Sequence, residues 1–161
     1  MNHIGPELLT RLLDEHGARL VLYAQQRCAS PEDVVQDAFV GLARQRPAPA
    51  DPAAWLYRTV RNGAISAARS SSRRVRHEST AAEARPDWFA SVVGEGLDAA
   101  AAVEALESLT IELRETVVLR LWSDLSFDEI ARLTETSSST AHRRYAEGLA
   151  ALRLRLGVRQ N

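Results

Sequence analysis

Apolar residues recur along this chain at steps of three and four, the spacing that lines one face of an α-helix. Leu8, Leu9, Leu12, Leu13, Leu20, Val21 and Ala24 form the first such stripe and predict a helix from Pro6 to about Arg27. Pro6 suits its first turn, where a missing N–H costs nothing. Gly17 weakens that helix by about 1 kcal/mol relative to alanine, so a kink or a close approach is expected there. Ser30 reads as the N-cap of a second helix, with Pro31 at its first position and Glu32 and Asp33 at the positive end of its dipole. Val34, Val35, Ala38, Phe39 and Leu42 make its core stripe. RPAPADP ends it, and Asp51 with Pro52 opens a third helix, WLYRTVRNGAISAAR, whose apolar residues are Trp55, Leu56, Val60 and Ile65. Two further helices are expected over 99–109 and 110–122, the second with Leu113, Val117, Val118, Leu121 and Trp122 inward. Alternation of period two is almost absent, so the fold class is all-α.

The stretch Leu125 to Leu156 predicts a helical pair joined by a tight polar turn. Ser126 and Glu129 have the spacing of a capping box, in which each side chain satisfies a backbone N–H of the other's turn. TETSSS interrupts the helix pattern, because small hydroxyl side chains bond locally to the backbone and favour turns and caps. Ser137 or Ser138 then caps a second helix with the stripe Ala141, Tyr145, Leu149, Leu152 and Leu156. That stripe leaves Thr140, His142, Arg143 and Arg144 facing outward at the N-terminal end. A helix-turn-helix presents its DNA-reading helix in this way, apolar side on its partner and polar N-terminal residues outward. An ordinary helical hairpin with a solvated arginine pair has the same local pattern.

Between these segments the composition shifts. From Ser79 to about Gly96 the chain is rich in Ala, Ser, Glu and Gly and reads as a flexible linker, with a short helix expected around Trp88 and Phe89. The expected organisation is two small helical domains, 1–78 and 99–161, joined by a linker over 79–98.

Net charge is only −1, but its distribution is uneven. Arg58 to Arg76 carries +6, Asp87 to Glu115 carries −6, and Arg132 to Arg159 carries +4. Two basic patches separated by an acidic stretch suit a protein that grips a polyanion at two places. Every Lys or Arg position is arginine, whose planar fork fits phosphate and guanine. Cys28 is alone, which excludes an internal disulfide and points to a reducing compartment; its expected role is core filler at a helix end. The N-terminus lacks the pattern of a signal peptide, and no run of eighteen apolar residues exists to insert into a membrane. A cytoplasmic location is expected. His3, His16, His77 and His142 are scattered, and neither HExxH, a nucleophile elbow, a phosphate-binding glycine loop nor metal-ligand spacing occurs. No enzyme activity, cofactor, metal or small-molecule substrate is expected.

SPEDVVQDAFVGL, then DPAAWLYRTVRNGAI, then LRETVVLRLWSDLSFDEIARL resembles, in order and spacing, the bacterial RNA polymerase sigma factors of the sigma-70 family, in their small two-domain extracytoplasmic-function (ECF) form. The resemblance spans about Leu8 to Leu156. It implies a transcription initiation factor that binds core polymerase and directs it to promoters. The helix with Glu32, Asp33, Gln36, Asp37 and Phe39 corresponds to the segment that docks on the coiled coil of the largest polymerase subunit. Trp55, Tyr57, Arg58, Arg61, Asn62, Arg69, Arg73 and Arg74 fall in the segment that opens and reads the −10 element as single strand. Trp55 also has a plain reading as core. Ser138, Ser139, Thr140, His142, Arg143 and Arg144 fall at the start of the helix that reads the −35 duplex. An anti-sigma protein is a further partner the resemblance allows. The chain departs from the family in its turn, ETSSST, which has no glycine, and in Glu147 and Gly148 within the reading helix.

Two other readings fit part of the pattern. A helix-turn-helix regulator acting without polymerase explains the C-terminal half but gives no role to the SPEDVVQDAF helix or the arginine-rich third helix. A degenerate sigma-like interaction protein would retain polymerase binding and lose DNA binding.

Overall fold

The computed structural model describes residues 2–75 and 99–157. Among them are seven helices and no strand: α1 (Pro6–Gln25), α2 (Pro31–Ala43), α3 (Pro52–Val75), α4 (Ala99–Glu107), α5 (Ile111–Leu121), α6 (Phe127–Thr134) and α7 (Ser138–Leu156). The expected linker and its Trp88–Phe89 helix lie outside the described residues.

Local capping chemistry sets most of the helix starts. Asp51 Oδ1 accepts from the Ala54 N–H at 3.0 Å at the start of α3. Thr110 accepts from Leu113 ahead of α5, and Ser137 from Thr140 ahead of α7. The capping box is complete: Ser126 Oγ accepts from Glu129 N–H at 3.1 Å, and Glu129 Oε2 accepts from Ser126 N–H at 2.9 Å. Ser30 is different. Its side chain makes no cap hydrogen bond, because its backbone (φ −124°, ψ 58°) lies outside the extended geometry that aims a capping oxygen at the first turn. Helix α1 runs unbroken through Gly17, which is buried.

α1, α2 and α3 pack on one another around Leu20, Tyr23, Ala38, Leu42, Leu56 and Val60. The C-terminal half has its own smaller cluster of Ala102, Leu106, Leu109 and Val117, edged by Trp122, Tyr145 and Leu152. The larger core does not stop at the linker. Leu119 and Ile130, both wholly buried, join it together with Ala131, Leu133 and Ala141. Helix α1 packs against α5, and α3 against α6. The two halves are therefore closed on each other in this structure. Two expected core residues are corrected by it. Leu13 stays 53% exposed and Leu121 49% exposed, because the apolar arcs of α1 and α5 are wider than the faces their neighbours cover.

Candidate nucleic-acid interface

Helices α6 and α7 form the helix-turn-helix. The turn manages without glycine because Glu135 takes the left-handed conformation itself (φ 57°, ψ 44°). Hydroxyls close the turn around it. Thr134 Oγ1–H donates to Ile130 O at 2.8 Å and shares a 3.1 Å hydrogen bond with Thr136 Oγ1, while Thr136 N–H donates to Ala131 O at 2.9 Å. Ser138 Oγ–H donates to Asp128 across the turn, which ties the start of α7 to α6.

Ala141 is buried, and Tyr145, Leu149, Leu152 and Leu156 are half-buried, so the expected inward stripe faces the body of the domain. Gly148 lies on that inward side. A β-carbon there would stand 2.6 Å from Val117 Cγ2, so the helix approaches α5 more closely than any side chain permits. Its departure from helix-favouring residues has this packing reason.

Ser138, Ser139, His142 and Arg143 are exposed, and Thr140 and Arg144 half-exposed, at the N-terminal end of α7. Phe127 supports this end, with its ring 4.8 Å from that of His142 and 5.5 Å from that of Tyr145. The Arg120 guanidinium lies 4.9 Å over the Phe127 ring and donates to Leu125 O at 3.1 Å. His142 thus rests, exposed, on a braced platform.

On α3, Arg58, Asn62 and Arg69 are exposed, spaced by four and seven residues and so on one face. Arg73 and Arg74 fall on the same helix, but their side chains lie outside the described residues. Trp55 is half-buried against α2, its ring edge 3.3 Å from where a Gly41 β-carbon would be. The expectation of Tyr57 among the DNA-facing residues of the −10 segment is corrected. Its side chain is only 2% exposed, within the core cluster that Leu119 and Ile130 of the C-terminal half join, with its ring centroid 5.9 Å from His16 and 6.1 Å from Tyr23.

On α2, Glu32, Asp33, Gln36 and Asp37 are exposed, and Phe39 is half-buried. Phe39 lines a groove between α1 and α2 with Leu9, Leu13, Val35 and Val40, and Glu32 and Gln36 stand at its edge. An acidic, amide-bearing rim around apolar residues is suited to a protein partner.

Glu115, Tyr23 and Arg27, which sequence reasoning missed, meet Arg61, expected to face the −10 strand, at the junction. Glu115 of α5 is 2% exposed. Its Oε1 accepts from Tyr23 Oη at 2.5 Å and from Arg61 Nε at 2.6 Å, and its Oε2 accepts from Arg27 Nη2 at 2.5 Å. All three donors belong to the N-terminal half. Burial alone would push the Glu115 carboxyl up, but the hydrogen bonds from Arg61 and Tyr23 and the charge of Arg27 outweigh it and hold the group below the usual carboxylate range. Burial, and then the same carboxylate's charge, raises the Tyr23 hydroxyl well above its ordinary value. One signal was present in the sequence. Glu115 precedes Val118 by three residues and Leu119 by four, so it is an acid on an apolar face.

Comparison with known proteins follows this division. Residues 12–74 match the family model for sigma-70 region 2, and residues 99–152 match that for sigma-70 region 4. The chain belongs to the sigma-70 family. With these two regions, and the short segment between them, it is a sigma factor of the ECF type. A sigma factor RpoE from Bartonella quintana, solved in complex with the anti-sigma factor NepR, has 23% identity and a TM-score of 0.77 over 97% of this chain and all of that one. CnrH, solved with the cytosolic domain of CnrY, has 22% identity and a TM-score of 0.66 over 97% of this chain and 92% of that one. No curated protein matches this sigma factor. Sigma factors of this family direct core RNA polymerase to promoters and are not themselves enzymes. No described helix of this one is long and apolar enough to cross a membrane.

Proposed function

We propose that this sigma factor divides promoter recognition among three separate helix faces. Exposed α2, with Glu32, Asp33, Gln36 and Asp37 beside the Phe39 groove, docks on the coiled coil of the largest polymerase subunit. The Arg58, Asn62 and Arg69 face of α3 takes the −10 element as single strand, where arginines hold phosphates and an amide reads a base. The N-terminal end of α7, with Ser138, Ser139, Thr140, His142, Arg143 and Arg144, enters the major groove of the −35 duplex. The domain bounds 1–78 and 99–161, with a connecting segment over 79–98, belong to this reading, as does a cytoplasmic place beside the polymerase.

The observation that carries it is the segregation of charge by face. Acidic residues are exposed on α2, and exposed arginines stand on α3 and on α7. A surface for a protein and two surfaces for a polyanion are thereby kept apart. An anti-sigma protein fits the same scheme, since the similar sigma factor RpoE was solved with the anti-sigma factor NepR.

The test is binding of the purified chain to bacterial core RNA polymerase, with Asp37→Arg as control. Tight binding weakened by at least about tenfold in the variant, a change of about 1.4 kcal/mol, supports the docking face. Absence of polymerase binding with DNA affinity retained would leave a free-standing helix-turn-helix regulator.

A further inference from the structure

The three donors around Glu115 have a geometry with a use beyond joining the two halves. Tyr23 stands in the last turn of α1 and Arg27 in the turn that follows it, four residues on, and Arg61 reaches the same point from α3. Their donor atoms converge within 2.6 Å of one carboxylate group. Two guanidinium groups and a phenol hydroxyl around a single oxyanion also make a suitable seat for a phosphate, because arginine's planar fork pairs with phosphate as it does with carboxylate. The closed arrangement does not use all of this capacity. Arg27 Nε is buried without a hydrogen-bond partner.

The surroundings extend the basic face of α3 into this nest. Arg61 lies between Arg58 and Asn62, both exposed. Arg27 and Arg69 line one cleft between α1, α3 and the start of α5, which Ile111 and Arg114 wall on the other side. A polyanion held on the exposed face would therefore meet Arg61 and Arg27 next, were Glu115 not seated there.

We propose that Tyr23, Arg27 and Arg61 form a binding site for one backbone phosphate of single-stranded DNA, and that Glu115 occupies this site in the closed arrangement. The carboxylate stands in for the phosphate. Strand binding and closure of the two halves then exclude one another, and the strand competes with an internal acid of the same chain. The proposal rests on the reading of α3 as the single-strand surface and adds to it Tyr23 of α1 and Arg27 of the turn after that helix.

The experiment measures binding of a fluorescein-labelled single-stranded oligonucleotide to the full chain, by anisotropy over a range of salt concentrations. Glu115→Ala should bind about tenfold more tightly or better, since apparent affinity is reduced by the fraction of molecules whose site is free. Glu115→Gln, which keeps the side chain's shape, should shift the affinity in the same direction. Glu112→Gln removes an exposed acid from the same helix and should leave it unchanged. Adding Arg27→Ala to Glu115→Ala should reduce the salt slope by about 0.7, the value for one phosphate contact on a single strand. Far-UV circular dichroism verifies that each variant is folded. Unchanged affinity in both Glu115 variants would overturn the proposal, as would an unchanged slope on removal of Arg27. If Arg58→Ala weakens binding while Arg27→Ala does not, the α3 reading stands and the phosphate site falls. If no variant binds the strand at all, the α3 reading itself falls.

Discussion

Arg61 Nε donates to Glu115 Oε1 at 2.6 Å, joining a residue expected to face DNA to an acid 54 positions later in the chain. The bond crosses from region 2 to region 4. With Arg27 on the second carboxylate oxygen, it forms an ion triad in which Glu115 is buried and the two arginines, from α3 and from the turn after α1, are part-buried. Removing the arginines alone would be costly, because the buried Glu115 charge is left without compensation. Opening the two halves avoids that cost, since all three groups then return to water.

Acid should favour the open form. The Glu115 carboxyl is held below its ordinary value of 4.5 in the closed arrangement. The stabilisation it supplies is complete above that value and is lost as pH falls toward and through the lowered one. Small-angle X-ray scattering of the full chain should show a larger radius of gyration in this acidic range. Glu115→Gln should be expanded already at neutral pH, with a weaker acid response. A radius that stays constant in both proteins would show that the triad does not set closure.

Gly148→Ala should destabilise region 4 despite alanine's better helix propensity. The new methyl would stand 2.6 Å from Val117 Cγ2, and Val117 is wholly buried. Overpacking costs about 1–3 kcal/mol against a propensity gain of about 1 kcal/mol. A net loss of about 1 kcal/mol in urea unfolding is expected. A gain would mean that α7 can move away from α5 without cost.

Glu135→Gly should have the opposite sign. A side chain in the left-handed region costs about 1–2 kcal/mol, which glycine avoids while losing more freedom on folding. The expected outcome is a stabilisation of about 0.5–1 kcal/mol by thermal or urea unfolding. Destabilisation would indicate that the Glu135 side chain makes a contact worth more than its backbone strain.

Arg143 is exposed at the N-terminal end of α7, the end proposed to enter the −35 major groove. Arg143→Ala should weaken binding to a −35 duplex and lower the salt slope by about 0.9, the value for one neutralised phosphate on B-form DNA. Titrations at several salt concentrations separate this from readout of a base. Loss of sequence discrimination with an unchanged slope would assign Arg143 to a base edge instead.

The sequence alone determined the helices, their order and the division into two regions. The signals for these are short-ranged. A capping oxygen bonds within three residues of itself, as Asp51, Ser126 and Ser137 do, and an apolar stripe repeats within a turn. The exposed faces of α2, α3 and α7 were legible for the same reason, as what remained once the stripes turned inward. Ser30 shows the limit of such signals, since the right residue at the right place lacks the backbone angles to cap. Only the tertiary structure decided what Glu115 and Tyr57 do. The partners of Glu115 lie 54, 88 and 92 residues away, and no local periodicity names them. Tyr57, expected among the residues of the −10 segment, is buried in the core cluster the two halves share. Burial across such distances depends on how helices meet, and that is a property of their packing in three dimensions.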